Sequence, residues 1–317
     1  MTCLVVASTA LTSLSGAALA DAPFAKTQAP GWYRMMLGDF EVTALSDGTF
    51  SSVPLEKMLT GTTPAKVDAA LTKAYMKPPF ETSVNGFVIN TGSKLVLIDT
   101  GAGSLFGPTL GKLLASLKAS GYQPEQIDEI YITHMHADHV GGLVSNGKLV
   151  FPNAVVRAGK ADADYWLSKE NLDKAPEAMK DFFRGAQASI NPYVAAGKFK
   201  PIDGEVELVP GIRAIPANGH TPGHTIYEVA SKGQKLVAWG DLMHIAAVQF
   251  PDPSVTVQFD SDSKKAAVER KKAYADAAKQ GYFAAVAHVS FPGLGQLRPD
   301  GAGYRWYPVN YSNASAK

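Results

Sequence analysis

His134-Met135-His136-Ala137-Asp138-His139 is the stretch on which the reading of this chain turns. It follows the apolar run Ile130-Tyr131-Ile132 and precedes Gly141-Gly142, so it occupies the loop at the end of a strand. His134 and His136 are two residues apart. In an extended segment both imidazoles leave the same side of the backbone and can converge on one ion. Asp138 and His139 fall where the chain turns into a helix and can reach a second ion nearby. Imidazole and carboxylate at this density suit zinc or a related divalent metal. The chain has seven histidines, and three of them crowd into these six positions.

The other candidate ligands also follow strands. His220 and His224 lie in Gly219-His220-Thr221-Pro222-Gly223-His224, Asp241 follows Leu236-Val237-Ala238-Trp239-Gly240, and His288 follows Phe283–Ala287. Spacing alone does not choose between His220 and His224. Periodicity predicts strands at Phe40–Leu45, Gly86–Thr91, Lys94–Asp99, Ile127–Thr133, Ala154–Arg157, Ile226–Val229, Leu236–Trp239 and Phe283–His288. A turn at Gly92-Ser93 joins the second and third as a hairpin. Helices are expected at Leu110–Ser120, Lys160–Ser168, Glu177–Ala195 and Ser261–Gln280. Strands, helices, strands, helix and strand in that order suit an α/β chain of two packed sheets flanked by helices, built from two similar halves.

Composition narrows the chemistry. Lys+Arg total 30 against Asp+Glu 29, a net charge of +1, so no strong field is available to grip a phosphate backbone and nucleic acid is not an expected partner. Met1–Ala20 carries no charged side chain and ends in Ala18-Leu19-Ala20, which fits a signal-peptidase site with Asp21 opening the mature chain. The reading is a signal peptide over 1–20, one domain over 21–317, no membrane span, and export to the periplasm or medium. The basic residues that normally precede such an apolar run are missing. Cys3 is the only cysteine and lies in that leader, so neither a disulfide nor a thiolate ligand is expected in the mature chain. No Gly-x-Ser-x-Gly elbow follows it either, which makes covalent catalysis a poor competitor.

The His-x-His-x-Asp-His segment, the His220–Thr225 segment, Gly240-Asp241-Leu242 and the final His288 together resemble the metallo-β-lactamase superfamily, in order from about Phe40 to Pro292. The resemblance implies an αββα sandwich and a metal-dependent hydrolase holding two divalent ions, zinc by expectation. It implies His134, His136 and His220 on one ion and Asp138, His139 and His288 on the other. Asp241 would bridge both, leaving His224 and Asp99 structural. Asp241 and Asp138 are the expected catalytic residues, and the nucleophile a metal-bridging hydroxide.

A narrower resemblance rests on Gly31–Met35, Leu45–Thr49, Glu125–His139, Phe106–Leu110 and Asp252–Val255. These look like the methyl parathion hydrolase group and its dihydrocoumarin-hydrolysing lactonase relatives, and imply a homodimer. By that likeness Phe106, Trp166 and Phe182 form an aromatic pocket over the metals. His244 and Phe259 stand where methyl parathion hydrolases carry leucines, and Met58 where they carry arginine. A polar imidazole and a larger ring leave less room for a tetrahedral phosphotriester than for a flat lactone. The expected substrate is therefore a small lactone or aryl ester, with organophosphate hydrolysis incidental. A phosphotriesterase is the alternative, and a mononuclear iron redox enzyme on the same scaffold is the reading from a different class.

Overall fold

The computed structural model describes residues 22–312; the expected leader and Cys3 lie outside the described residues. Two seven-stranded sheets dominate. The first contains β1 (Trp32–Leu37), β2 (Phe40–Phe50), β3 (Thr82–Asn90), β4 (Leu95–Ile98), β5 (Glu129–Ile132), β6 (Val155–Gly159) and β7 (Phe199–Ile202). The second contains β8 (Val206–Val209), β9 (Ile212–Pro216), β10 (Thr225–Ser231), β11 (Gln234–Ala238), β12 (Phe283–Ala285), β13 (Leu294–Asp300) and β14 (Gly303–Pro308). In each sheet the strands lie side by side in chain order. Both sheets are mixed: antiparallel neighbours accompany the parallel pairs β4·β5, β5·β6, β6·β7 and β11·β12.

Side-chain alternation explains the layers. In β4, Val96 and Ile98 face the second sheet, while Leu95 and Leu97 face the helices outside the first. Tyr131 of β5 likewise points inward, stacked on Tyr227 of β10, and Ile130 and Ile132 point outward. Such strands are apolar on both faces because both faces are covered. The outer layer of the first sheet includes α2 (Leu113–Ala119), α4 (Lys160–Trp166) and α6 (Glu177–Ala195); α8 (Ser263–Gln280) covers the second, and α1 (Pro64–Lys73), α3 (Ala137–Val140) and α7 (Ala246–Gln249) lie in connecting segments. The result is the expected α/β arrangement of two mixed sheets flanked by helices. No helix among the described residues is long and apolar enough to cross a membrane.

Several boundaries differ from the sequence reading, each for a local reason. The helix expected from Leu110 starts at Leu113. Gly111 adopts φ +79, and the buried Asp47 carboxylate takes the amides of Ala102, Gly111 and Leu113 at 2.9–3.0 Å, holding that loop open. Ile127–Thr133 is strand only over Glu129–Ile132, and Phe283–His288 only over Phe283–Ala285, since the metal-loop backbone turns away from the ladder beyond those points. The expected Lys160–Ser168 helix stops at Trp166, because Ser168 caps a separate helix, α5 (Lys169–Lys174), accepting the amide of Asn171. At α8 the cap is Asp262, the second residue of the expected helix, and Gly281 ends it in a left-handed turn. The strand at Phe40 runs on to Phe50, past Leu45, through an irregularity at Asp47.

Candidate metal centre

The carboxyl ends of β4, β5, β11 and β12 open on one rim, and the loops there carry Asp99, His134–His139, Asp241 and His288. The loop between β9 and β10 brings His220 and His224 to the same place. All seven histidines of the chain gather here and are buried.

Asp241 lies at the centre. Its Oδ1 is 3.1 Å from Nε2 of both His139 and His288. Its Oδ2 is 3.6 Å from His134 Nε2 and 3.4 Å from His220 Nε2. His136 completes the first group through Nδ1, 3.1 Å from His220 Nε2. Asp138 Oδ2 completes the second, 3.6 Å from His139 Nε2 and 3.5 Å from His288 Nε2. Four donors around a tetrahedral zinc at about 2.0–2.1 Å stand roughly 3.3–3.4 Å apart, and both groups have edges near that length. His134 Nε2, His139 Nε2 and Asp241 Oδ1 are buried with no hydrogen-bond partner, as atoms reserved for a cation are. Two groups of donors could thus each hold a metal ion, His134, His136, His220 and Asp241 in one and Asp138, His139 and His288 in the other, and Oδ1 of Asp241 faces the second group.

Burial and the carboxylates shift the histidines in opposite directions. Burial, reinforced by neighbouring histidines, holds His134 and His136 well below the usual imidazole range, so both are neutral donors. Burial also opposes charge on His139, but Asp241, Asp138 and Asp99 outweigh it and raise its pKa well above the usual value. For His220, Asp241 and Asp260 outweigh burial and push it up to about 9. Despite its burial, Asp241 is held well below the carboxylate range, chiefly by His288, His139 and His134.

His224 is placed differently. Its Nε2 is 3.1 Å from the backbone nitrogen of Asp241 and accepts that N–H, while burial lowers its pKa to about 3. That nitrogen is engaged by this N–H, and it is His220, not His224, that lies with His134, His136 and Asp241 in a donor group. Asp99 lies behind His139, its Oδ2 2.9 Å from Nδ1, and accepts both the amide and hydroxyl of Thr133 at 2.8 Å. His288 Nδ1 donates to the carbonyl of Ser83 at 2.9 Å.

Of the residues expected to wall the pocket, Phe182 lies 5.1 Å from His136 between ring centroids, and Phe259 lies 5.1 Å from His244 and 5.8 Å from His220. Phe106 packs edge-on against Phe50, which in turn meets His288 at 6.3 Å. The Met58 carbonyl accepts the amide of Gln258 at 2.9 Å, placing Met58 beside the Phe259 turn. His244 is buried, with Nε2 3.1 Å from Asp241 Oδ2. Trp166 departs from its expected role. It is 1% exposed and packed in the outer core with Phe183, so it supports His136 and Phe182 from behind rather than facing a substrate.

Two buried carboxylates escaped the sequence reading. Asp260 takes His220 Nδ1 at 2.9 Å and the amide of Val257 at 3.1 Å. Asp162 takes the amides of Met135 and Gly223 and the hydroxyl of Thr221. Neither stands in a motif; Asp162 is one acidic residue of a helix and Asp260 one of a polar turn.

Residues 79–279 match the metallo-beta-lactamase superfamily. The chain belongs to that superfamily. A crystal structure of the hydrolase AbOPH, from the beta lactamase superfamily, is 38% identical and superposes with a TM-score of 0.85 over 90% of this chain and 100% of that one. AidC, a dizinc quorum-quenching lactonase solved with a product, is 29% identical with a TM-score of 0.80, over 89% and 99%. An N-acyl homoserine lactonase from Bacillus cereus is 27% identical over 51% of this chain. The match spans 56% of that lactonase and 37% of a related one from Bacillus thuringiensis. Lactonases thus stand among its homologues.

Proposed function

We propose that the chain hydrolyses small lactones and aryl esters of the dihydrocoumarin kind with two zinc ions, organophosphate triesters being incidental substrates. The observation that carries the reading is Asp241, whose two oxygens face two separate donor groups beneath an aromatic wall. Two divalent cations supply, when bound, a hydroxide nucleophile at neutral pH and polarise the oxygen that gains charge. The chain's own residues do the rest. Asp241 keeps the two groups in register, and Asp99 and Asp260 fix the rings of His139 and His220. Phe182 and Phe259 offer apolar faces to an aryl group and exclude water. His244 and Phe259 meet edge to face over His220, narrowing the space a tetrahedral phosphotriester would fill.

A side-by-side kinetic panel on purified, zinc-loaded protein tests this. Dihydrocoumarin is expected to exceed methyl parathion in kcat/KM; the reverse ranking would make the protein a phosphotriesterase. His244→Leu is expected to shift that ratio toward the phosphotriester by about 10-fold or more, the scale of one altered pocket contact. An unchanged ratio counts against His244 facing the substrate. Export as a homodimer belongs to the same proposal, and N-terminal sequencing of exported protein beginning at Asp21 would support it.

A further inference from the structure

Asp162 is fully buried, and both its oxygens are engaged by neutral donors. Oδ2 accepts the amide of Met135 at 3.1 Å and the Thr221 hydroxyl at 3.0 Å, and Oδ1 accepts the amide of Gly223 at 2.6 Å. Met135 lies between His134 and His136, and Thr221 follows His220. One carboxylate therefore ties together the two loops that carry the three histidines of the first donor group, although they are more than 80 residues apart in the chain. The contact is built at backbone range. A Cβ on Gly223 would lie 2.3 Å from the nitrogen of Asp162, and one on Gly159 would lie 2.2 Å from the carbonyl oxygen of Gly223.

The second group is anchored elsewhere. The His139 carbonyl accepts both the amide and hydroxyl of Thr100 at 2.8 and 2.9 Å, and its ring rests on Asp99. On the reading of a two-metal site, we infer that Asp162 is a positioning residue for the first metal position alone. It sets the spacing of His134 and His136 against His220 without touching any ligand ring. Asp162→Asn keeps the shape but turns an NH2 group toward donors that need an acceptor, so the two loops lose their common register.

The test uses the full-length protein stripped of metal and equilibrated with zinc against a competing chelator. Ions per chain are counted, and anomalous scattering in crystals identifies which position is filled. The parent should hold two ions. Asp162→Asn should weaken the position formed by His134, His136 and His220 by about 10–100-fold, the scale of an altered supporting partner, and leave the other unchanged. Thr221→Val removes one bond of the three and keeps the carboxylate, so it should weaken the same position by a smaller factor even if the first variant fails to fold. Equal weakening of both positions, or parental affinity at the first, would overturn the inference while leaving the two-metal site intact. A parent that holds a single ion would overturn both.

Discussion

Removing the metal should destabilise the protein more at pH 9 than at pH 6.5. In the metal-free chain the carboxylates of Asp241 and Asp260 overcome burial and raise His220 to about 9 from an ordinary 6.5. A histidine raised in the folded state stabilises it fully below the unfolded pKa, and that stabilisation is lost as pH rises through the folded one. The shift corresponds to about 3 kcal/mol, withdrawn between pH 6.5 and 9. His139 and His288 are shifted in the same direction by Asp241 and add to the loss. In the loaded protein a cation takes the place of those protons, so its stability escapes this decline. The difference in Tm between loaded and stripped protein should therefore widen by about 6 °C or more across the window, at roughly 2 °C per kcal/mol for a chain of this size. Differential scanning calorimetry at the two pH values, with and without chelator, measures it. A gap that narrows toward pH 9, or none at either pH, would refute the argument that these nitrogens exchange protons for metal.

Two substitutions probe other parts of the account. Phe259→Ala uncovers three histidine rings and should raise KM for aryl substrates about 10-fold with a smaller change in kcat; a loss confined to kcat would mean the ring acts on the metal ligands instead. Gly142→Ala would set a Cβ 2.0 Å from the carbonyl oxygen of Thr100, in the turn that fixes His139, and should cost about 1–3 kcal/mol or more, read as a lowered urea midpoint.

The candidate metal donors were legible because they sit in short contiguous segments at the ends of apolar strands, where chain direction already implies a common rim. Short apolar runs such as Leu95–Ile98 marked the strands, and the resemblance supplied the expected pairing of ligands with ions. What stayed hidden depends on contacts distant in sequence. Asp162 and Asp260 look like ordinary surface acids until the fold buries them against loops 59 and 40 residues away. Trp166 has an aromatic's character in the sequence, but only packing against Phe183 decides that it lies behind the pocket. The late start of α2 likewise follows from Asp47, some 65 residues upstream, capturing its first amides.

A zinc-loaded crystal structure with anomalous scattering at the zinc edge tests the central claim most directly. Two peaks about 3.5–4 Å apart, each touched by a different oxygen of Asp241, are the expected result. A single peak, or two of which only one meets Asp241, would contradict it.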